Sequence, residues 1–142
     1  MRLFSQDSKV DALRRAPLFE GLGKKELEQL ARMTDDLDVP AGKTLCREGE
    51  TGSEFFVIVG GEVEVTSGDK TLARLGPGDF FGEIALIEQT KRTATVTAVT
   101  PLRFFVLTSQ AFWGMVDASP GVERTILRAL AKRVANLGVA PT

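Results

Sequence analysis

Short apolar stretches separated by turns occupy the middle of the chain, from Asp36 to Leu107. The turn segments are rich in Gly, Pro, Asp and Ser, and lie at 40–42, 48–53, 60–61, 67–69 and 76–79. Between them, apolar residues alternate with polar ones or run briefly, which is typical of strands. Closely spaced strands with glycine-rich turns predict a β-sandwich or a β-barrel. We predict strands at 36–39, 43–47, 55–59, 62–67, 70–75, 94–99 and 103–107.

Both flanks of this block have the spacing of amphipathic helices. Leu27, Leu30 and Ala31 recur at intervals of three and four within a helical segment predicted at 8–34. Ser119 and Pro120 are typical of a helix start, so we predict a helix from 120 to about 137. Helices, one β block and further helices make an α+β chain. We predict one domain, 1–142, with N-terminal helices at 8–34, a β-barrel at 36–107 and C-terminal helices at 109–137.

The scarcity of certain residue types in the chain disfavours several classes of function. It has no His and a single cysteine, Cys46, which disfavours an ordinary transition-metal site and a Ser–His or Cys–His hydrolase. We therefore predict no metal, no catalytic residues and no enzyme activity. A net charge of −1 disfavours nucleic acid and acidic membranes as partners. The lone cysteine fits a reducing compartment, and no segment reads as a signal peptide or a membrane span, so we predict a cytoplasmic protein.

One mostly apolar segment, 80–96, contains the groups from which a phosphate site can be built. Gly82 permits a positive φ, and the residues after it suffice for about one helical turn, whose first amides can bind an anion. Arg92 adds a planar set of donors suited to phosphate. Glu83 only accepts hydrogen bonds, so a ribose hydroxyl is its natural partner. The residues alone also allow a second interpretation, a surface ion pair between Glu83 and Arg92 beside an ordinary bulge.

The sequence FGEIALIEQTKRTATV in this segment closely resembles the phosphate-binding cassette of cyclic nucleotide-binding domains. That family occurs in protein kinase A regulatory subunits, catabolite activator protein and cyclic-nucleotide-gated channels. The likeness extends further: residues 16–31 resemble the family's N-terminal helical bundle, and residues 40–65 resemble its early strands and turns. It implies a double-stranded β-helix, a jelly-roll-like barrel, with a C-terminal helix that closes over the ligand as a lid. The sequence departs from the family at Lys91, where Pro often precedes the arginine.

The resemblance also implies roles for individual residues. Glu83 would accept the ribose 2′-hydroxyl, and Arg92 would pair with the cyclic phosphate. Gly82 and two amides beyond Glu83 would line the sugar-phosphate, while Thr93 would offer a hydroxyl to phosphate or base. On the lid helix, Arg133 would either stack on the purine or extend to water. The implied ligand-binding residues are Gly82, Glu83, Ile84, Ala85, Arg92, Thr93, Ala94 and Arg133.

The expected ligand is cAMP, the commoner nucleotide of the family, with cGMP as the alternative because Thr93 does not decide between them. Binding would shift the population towards a closed lid without making or breaking a bond. Nine residues follow Arg133, too few for a helix-turn-helix. We therefore expect a free-standing sensor, monomeric or weakly dimeric, that acts on a protein partner, or the sensor piece of a larger regulator. A protein-interaction module of this fold that binds no nucleotide remains the alternative.

Overall fold

The computed structural model describes the backbone of residues 6–136 and the side chains of residues 7–136 other than 133, 134 and 136. The helices are α1 (Gln6–Arg14), α2 (Lys24–Arg32), α3 (Ser109–Ala118) and α4 (Val122–Asn136), and short 3-10 helices lie at Pro17–Phe19 and Glu83–Leu86. The strands are β1 (Asp35–Val39), β2 (Thr44–Cys46), β3 (Glu54–Gly60), β4 (Val63–Ser67), β5 (Lys70–Leu75), β6 (Phe80–Phe81), β7 (Thr95–Ala98) and β8 (Leu102–Thr108). All seven predicted strands are present, and their ends differ from prediction by at most one residue.

The described chain divides into two compact units. Residues 34–109 form the first, which we call the sheet unit, and residues 6–33 together with 110–136 form the second, the helical unit. The prediction that the whole chain acts as one domain stays a prediction. Within the described residues, no helix combines the length and apolar character needed to cross a membrane.

The sheet unit is a sandwich of two antiparallel four-stranded sheets. One has the strand order β1-β8-β3-β6 and the other β2-β7-β4-β5. Apolar side chains of both sheets form one buried cluster, including Phe56 and Phe104 from the first sheet and Val63 and Val96 from the second. The arrangement confirms the predicted α+β class and jelly-roll-like architecture. Among the described strands, the two sheets are hydrogen-bonded separately rather than as one closed barrel.

The strand that the sequence analysis missed, β6, leads the chain into the candidate site. It has only two residues, and it pairs with β3 so that Phe81 lies opposite Phe56. The two rings stack with centroids 4.7 Å apart and planes 17° from parallel. A two-residue strand is too short to produce an alternating pattern, so no signal for it is present in the sequence. Its position is set by this ring contact and by the pairing with β3. Both hold the residue that precedes Gly82.

The helical unit has its own apolar interior. Leu13, Leu27 and Leu30 are fully buried, as the spacing of the last two predicts. Phe19 from the first 3-10 helix packs against Phe112 of α3, with ring centroids 6.1 Å apart. The predicted helical segment 8–34 is thus two helices joined by a 3-10 turn.

The start of the last helix was predicted incorrectly. Helix α4 begins at Val122 rather than at Pro120. Gly121 has a φ of 89°, which lies outside the right-handed helical region, and the Val122 amide donates to the Ser119 carbonyl at 3.2 Å. Ser119 and Pro120 therefore belong to the turn between α3 and α4. The predicted end of this helix at 137 lies outside the described residues.

Candidate functional site

The chain leaves β6 through a glycine in a left-handed conformation. Gly82 has φ 84° and ψ 13°, a combination that is costly for residues with a Cβ, and the 3-10 helix Glu83–Leu86 follows directly. The positive φ and the helical turn predicted here are both present. The Ala85 amide donates to the Gly82 carbonyl at 3.1 Å, which closes the turn.

The side chains of this turn are buried except for that of Ile84. Glu83 is 4% exposed although it carries a carboxylate, whereas the Ile84 side chain is 40% exposed. Burial removes a carboxylate from water at a substantial cost, so Glu83 is held by the protein rather than solvated. This burial contradicts the second interpretation of the segment, in which Glu83 and Arg92 form an ion pair on the surface.

The backbone of Arg92 is held by a loop distant in sequence. The Arg92 amide donates to the Glu50 carbonyl at 2.8 Å, and the Arg92 carbonyl accepts from the Gly49 amide at 2.9 Å. A further bond runs from the Gly52 amide to the Thr90 carbonyl at 3.1 Å. We call residues 47–53, which connect β2 to β3, the bracing loop. These bonds fix the position from which the Arg92 side chain starts.

The guanidinium of Arg92 lies between two glycines. Its Nη2 donates to the backbone carbonyl of Glu54 at 2.9 Å. A Cβ placed on Gly82 would lie 2.7 Å from Nη1, and a Cβ placed on Gly52 would overlap Nε and Cζ. Neither glycine can therefore carry a side chain while the guanidinium keeps this position.

A cavity of about 350 Å³ opens beside this guanidinium. Its walls come from β2, β4, β5, β6, β7 and the residues after Arg92. The lining residues are Cys46, Val65, Ala73, Leu75, Phe81, Gly82, Arg92, Thr93, Ala94 and Val96. The volume is within the usual range for small-molecule sites, and the lining is mostly apolar and includes one cation, Arg92.

The structure brings together four of the eight residues proposed from the sequence. Gly82, Arg92, Thr93 and Ala94 line the cavity. Three further candidates, Glu83, Ile84 and Ala85, lie in the 3-10 turn next to Gly82 but outside the lining set. The eighth, Arg133, lies outside the residues whose side chains the structure describes.

The sequence analysis did not identify six of the lining residues. Val65 belonged to a recognised alternating strand, and Ala73 and Leu75 have the same spacing of two, so their shared side of the sheet was predictable. Cys46, Phe81 and Val96 gave no such signal, because only strand pairing brings them to this cavity. Cys46 lies opposite Val96 in the β2–β7 pair.

The Cys46 thiol, which lines the same cavity, lies within the electrostatic influence of Arg92. Burial is the main influence on its thiol and raises the pKa of Cys46. The Arg92 charge acts in the opposite direction and the Glu54 charge adds to the increase. Because Arg92 stabilises the thiolate of Cys46, it is expected to stabilise other anionic groups that enter the cavity as well.

Comparison with known proteins identifies the family. Residues 37–119, more than half of the chain, match the family described as the cyclic nucleotide-binding domain. The chain therefore belongs to the cyclic nucleotide-binding domain family. The match includes the second half of β1, all strands from β2 to β8, the Gly82 turn and Arg92.

Related proteins place this domain in several contexts. A cyclic nucleotide-gated potassium channel of Rhizobium etli is 39% identical over 117 residues, which are 82% of this chain and 33% of the channel. The N-terminal domain of a transcriptional regulator from Streptomyces coelicolor superposes with a TM-score of 0.81 at 30% identity, over 90% of this chain and 93% of that domain. The regulatory domain of Toxoplasma gondii PKA, solved with cAMP, superposes with a TM-score of 0.70 at 29% identity, over 78% of this chain and 44% of that one. The chain thus spans about a third of the length of the channel that it matches.

Proposed function

We propose that the chain is a regulatory module that binds cAMP, with cGMP as the alternative ligand, and that it is not an enzyme. The observation that carries this proposal is the cavity in which Gly82 and Arg92 meet, which has one cation and an otherwise mostly apolar lining. A cyclic nucleotide has the complementary chemistry, because its phosphate is anionic and its purine is flat and weakly polar. The Toxoplasma relative, solved with cAMP, supports the same ligand class.

Within this proposal, Arg92 neutralises the cyclic phosphate. Its Nη1 lies 2.7 Å from the position that a Cβ on Gly82 would take, while Nη2 is engaged by the Glu54 carbonyl. Glu83, buried at the start of the turn, accepts a hydrogen bond from the ribose hydroxyl. The Ala85 amide now donates to the Gly82 carbonyl, so it contributes to phosphate binding only by sharing or releasing that bond.

The apolar walls would hold the purine. Val65, Ala73 and Leu75 come from two adjacent strands and face the cavity together. Thr93 follows Arg92 directly in the sequence and also lines the cavity. It is exposed to solvent, so its hydroxyl is accessible to a ligand. This hydroxyl would serve either purine, so it does not decide between the two ligands, and the proposal names cAMP first because it is the commoner nucleotide of the family.

Calorimetric titration of purified protein with cAMP and cGMP tests the proposal. We expect saturable binding by the wild type and binding about 10- to 100-fold weaker by Arg92→Ala, because a hydrogen bond to a charged group contributes about 1.5–3 kcal/mol. Arg103→Ala is the matched control, since the Arg103 side chain is 59% exposed and pairs with Asp38 at 3.3 Å on the same unit. Equal affinities for wild type and Arg92→Ala would contradict the assignment.

We further propose that nucleotide binding is signalled through α4 to a protein partner. A ligand shifts an equilibrium only by its difference in affinity for the two states, so cAMP must bind the state with an ordered, closed α4 more tightly. Amide hydrogen exchange with and without cAMP tests this mechanism. We expect slower exchange in α4 when cAMP is bound, and unchanged exchange there would leave binding without the proposed lid.

A further inference from the structure

Gly52 lies directly against the functional arginine although it does not line the cavity. A Cβ at this position would overlap Nε and Cζ of Arg92 and lie 2.7 Å from Nη2, and these are the three nearest heavy atoms. We propose that Gly52 is a positioning residue for ligand binding: the lack of a side chain creates the space in which the Arg92 guanidinium faces the cavity. The inference rests on the proposed function and names a determinant of that same site.

The backbone at Gly52 does not itself require glycine. Its φ lies outside the left-handed region in which eight other glycines of the described residues are found, so alanine fits the local conformation. The atoms that a methyl group would meet all belong to the far end of a flexible side chain. Such a chain yields by changing rotamer, at a small cost in stability. Gly52→Ala is therefore expected to displace the Arg92 side chain while leaving the stability of the fold nearly unchanged.

The displacement would be confined to the Arg92 side chain. Its amide and carbonyl are both bonded to the bracing loop, at 2.8 Å to Glu50 and 2.9 Å to Gly49, so its backbone cannot follow. If the guanidinium moves, the Nη2 bond to the Glu54 carbonyl breaks and Nη1 leaves its place above Gly82. The cation is then no longer at the end of the cavity where the phosphate would bind.

The first test compares cAMP binding by wild type, Gly52→Ala and Gly60→Ala. Gly60 is the matched control because its φ also lies outside the left-handed region and the nearest atom to an added Cβ is 3.7 Å away. We expect Gly52→Ala to weaken cAMP binding about 10- to 100-fold, as loss of a charge-assisted contact does, while Gly60→Ala binds like wild type. The melting temperatures of the two variants should agree closely.

A double-mutant cycle and a ligand-free measurement complete the test. In the Arg92→Ala background, adding Gly52→Ala should change cAMP affinity little, because the side chain that it displaces is already gone. In ¹⁵N NMR of the protein without nucleotide, the Arg92 Nε–H signal, assigned by its loss in Arg92→Lys, should shift in Gly52→Ala and stay unchanged in Gly60→Ala.

Each outcome separates the two claims. Wild-type affinity in Gly52→Ala, an unmoved Arg92 signal, or additive effects with Arg92→Ala would overturn the positioning role while leaving the proposed function intact. A drop in melting temperature much larger in Gly52→Ala than in Gly60→Ala would overturn it in favour of a general structural role. If the wild type binds neither cAMP nor cGMP, the proposed function fails, and with it the claim that Gly52 serves ligand binding.

Discussion

Two regions contribute to the same site in different ways: the cassette segment, 80–96, and the bracing loop, 47–53. The cassette segment supplies groups that face the cavity, including the Arg92 guanidinium and the bare backbone of Gly82. The bracing loop contributes main-chain donors and acceptors at Gly49, Glu50 and Gly52, and a missing side chain at Gly52. None of these three residues lines the cavity, yet they hold the one that carries the charge.

This difference shows that the charge and its position are encoded far apart. The bond from Arg92 to the Glu54 carbonyl joins residues 38 positions apart in sequence. A side chain that binds an anion is effective only if its position is fixed before the ligand arrives. In the proposed function, the cassette segment would determine which ligand class binds, and the bracing loop would determine how well the arginine is prepared for it. The predictions below test each region separately.

We expect the largest effect on stability from Gly82→Ala in the cassette segment. Alanine would have to adopt a φ of 84°, and its Cβ would lie 2.6 Å from the Glu54 carbonyl oxygen, which is backbone and cannot rotate away. Strained backbone of this kind costs about 1–3 kcal/mol. Urea unfolding should show a lower midpoint for Gly82→Ala than for Gly60→Ala, and cAMP binding should weaken as well. Equal midpoints for the two variants would show that the turn relaxes freely.

A smaller effect is expected from the anchor of the bracing loop, Glu48. Its carboxylate accepts from the Ser67 hydroxyl at 3.0 Å and from the Gly68 amide at 3.1 Å, which ties the loop to the β4–β5 hairpin. Glu48→Ala removes both bonds, and because the site is exposed we expect a loss of about 1 kcal/mol in unfolding free energy.

Glu50→Ala, which removes another glutamate side chain from the bracing loop, is the control for Glu48→Ala. The Glu50 side chain pairs only loosely with Arg47, at 3.8 Å with both side chains 65% exposed, so its removal should cost less. If Glu50→Ala destabilises the protein as much as Glu48→Ala, the hairpin tie does not explain the effect. A modest loss of cAMP affinity in Glu48→Ala would show that the bracing loop must be anchored to hold Arg92.

The sequence was most informative where a residue acts through its own side chain. The pattern around Gly82 and Arg92 indicated a glycine that permits a positive φ, a helical turn after it and a cation. In the structure Gly82 is left-handed and lines the cavity together with Arg92, and the helical turn follows Gly82 directly. Alternation predicted the strands because burial on one face imposes a period of two on each strand independently. These patterns depend only on residues close together in the chain, so they can be recognised in a single sequence.

The sequence was least informative where a residue acts through pairing or through an absent atom. Gly52 looked like an ordinary turn glycine, and its contact with Arg92 depends on backbone bonds between 49–52 and 90–92. Phe81 and Cys46 reach the cavity through strand partners that no local pattern specifies. Gly121 moved the start of α4 by two residues because a left-handed φ outweighed the Ser-Pro signal. Each of these depends on tertiary contacts that a single sequence does not display.

A smaller test uses the thiol of Cys46 in the cavity wall. Cys46 is 6% exposed and lines the same cavity as Arg92, so a small alkylating reagent should reach it slowly through the cavity mouth. We expect saturating cAMP to slow the alkylation of Cys46 further, as followed by mass spectrometry. Inorganic phosphate, which lacks the purine, should protect Cys46 less at the same concentration. Equal rates with and without cAMP would place the nucleotide away from this wall.

The smallest expected effect is confined to alkaline pH. Burial raises the pKa of the Cys46 thiol above its value in the unfolded chain, and this outweighs the opposing effect of Arg92. Above about pH 8.5 the unfolded chain loses the thiol proton first, so it binds fewer protons than the folded protein and the free energy of unfolding falls as pH rises. Below that pH the contribution is fully present. Urea unfolding at several pH values should give a steeper alkaline decline for wild type than for Cys46→Ala, and parallel declines would mean that the thiol is not desolvated by the cavity wall.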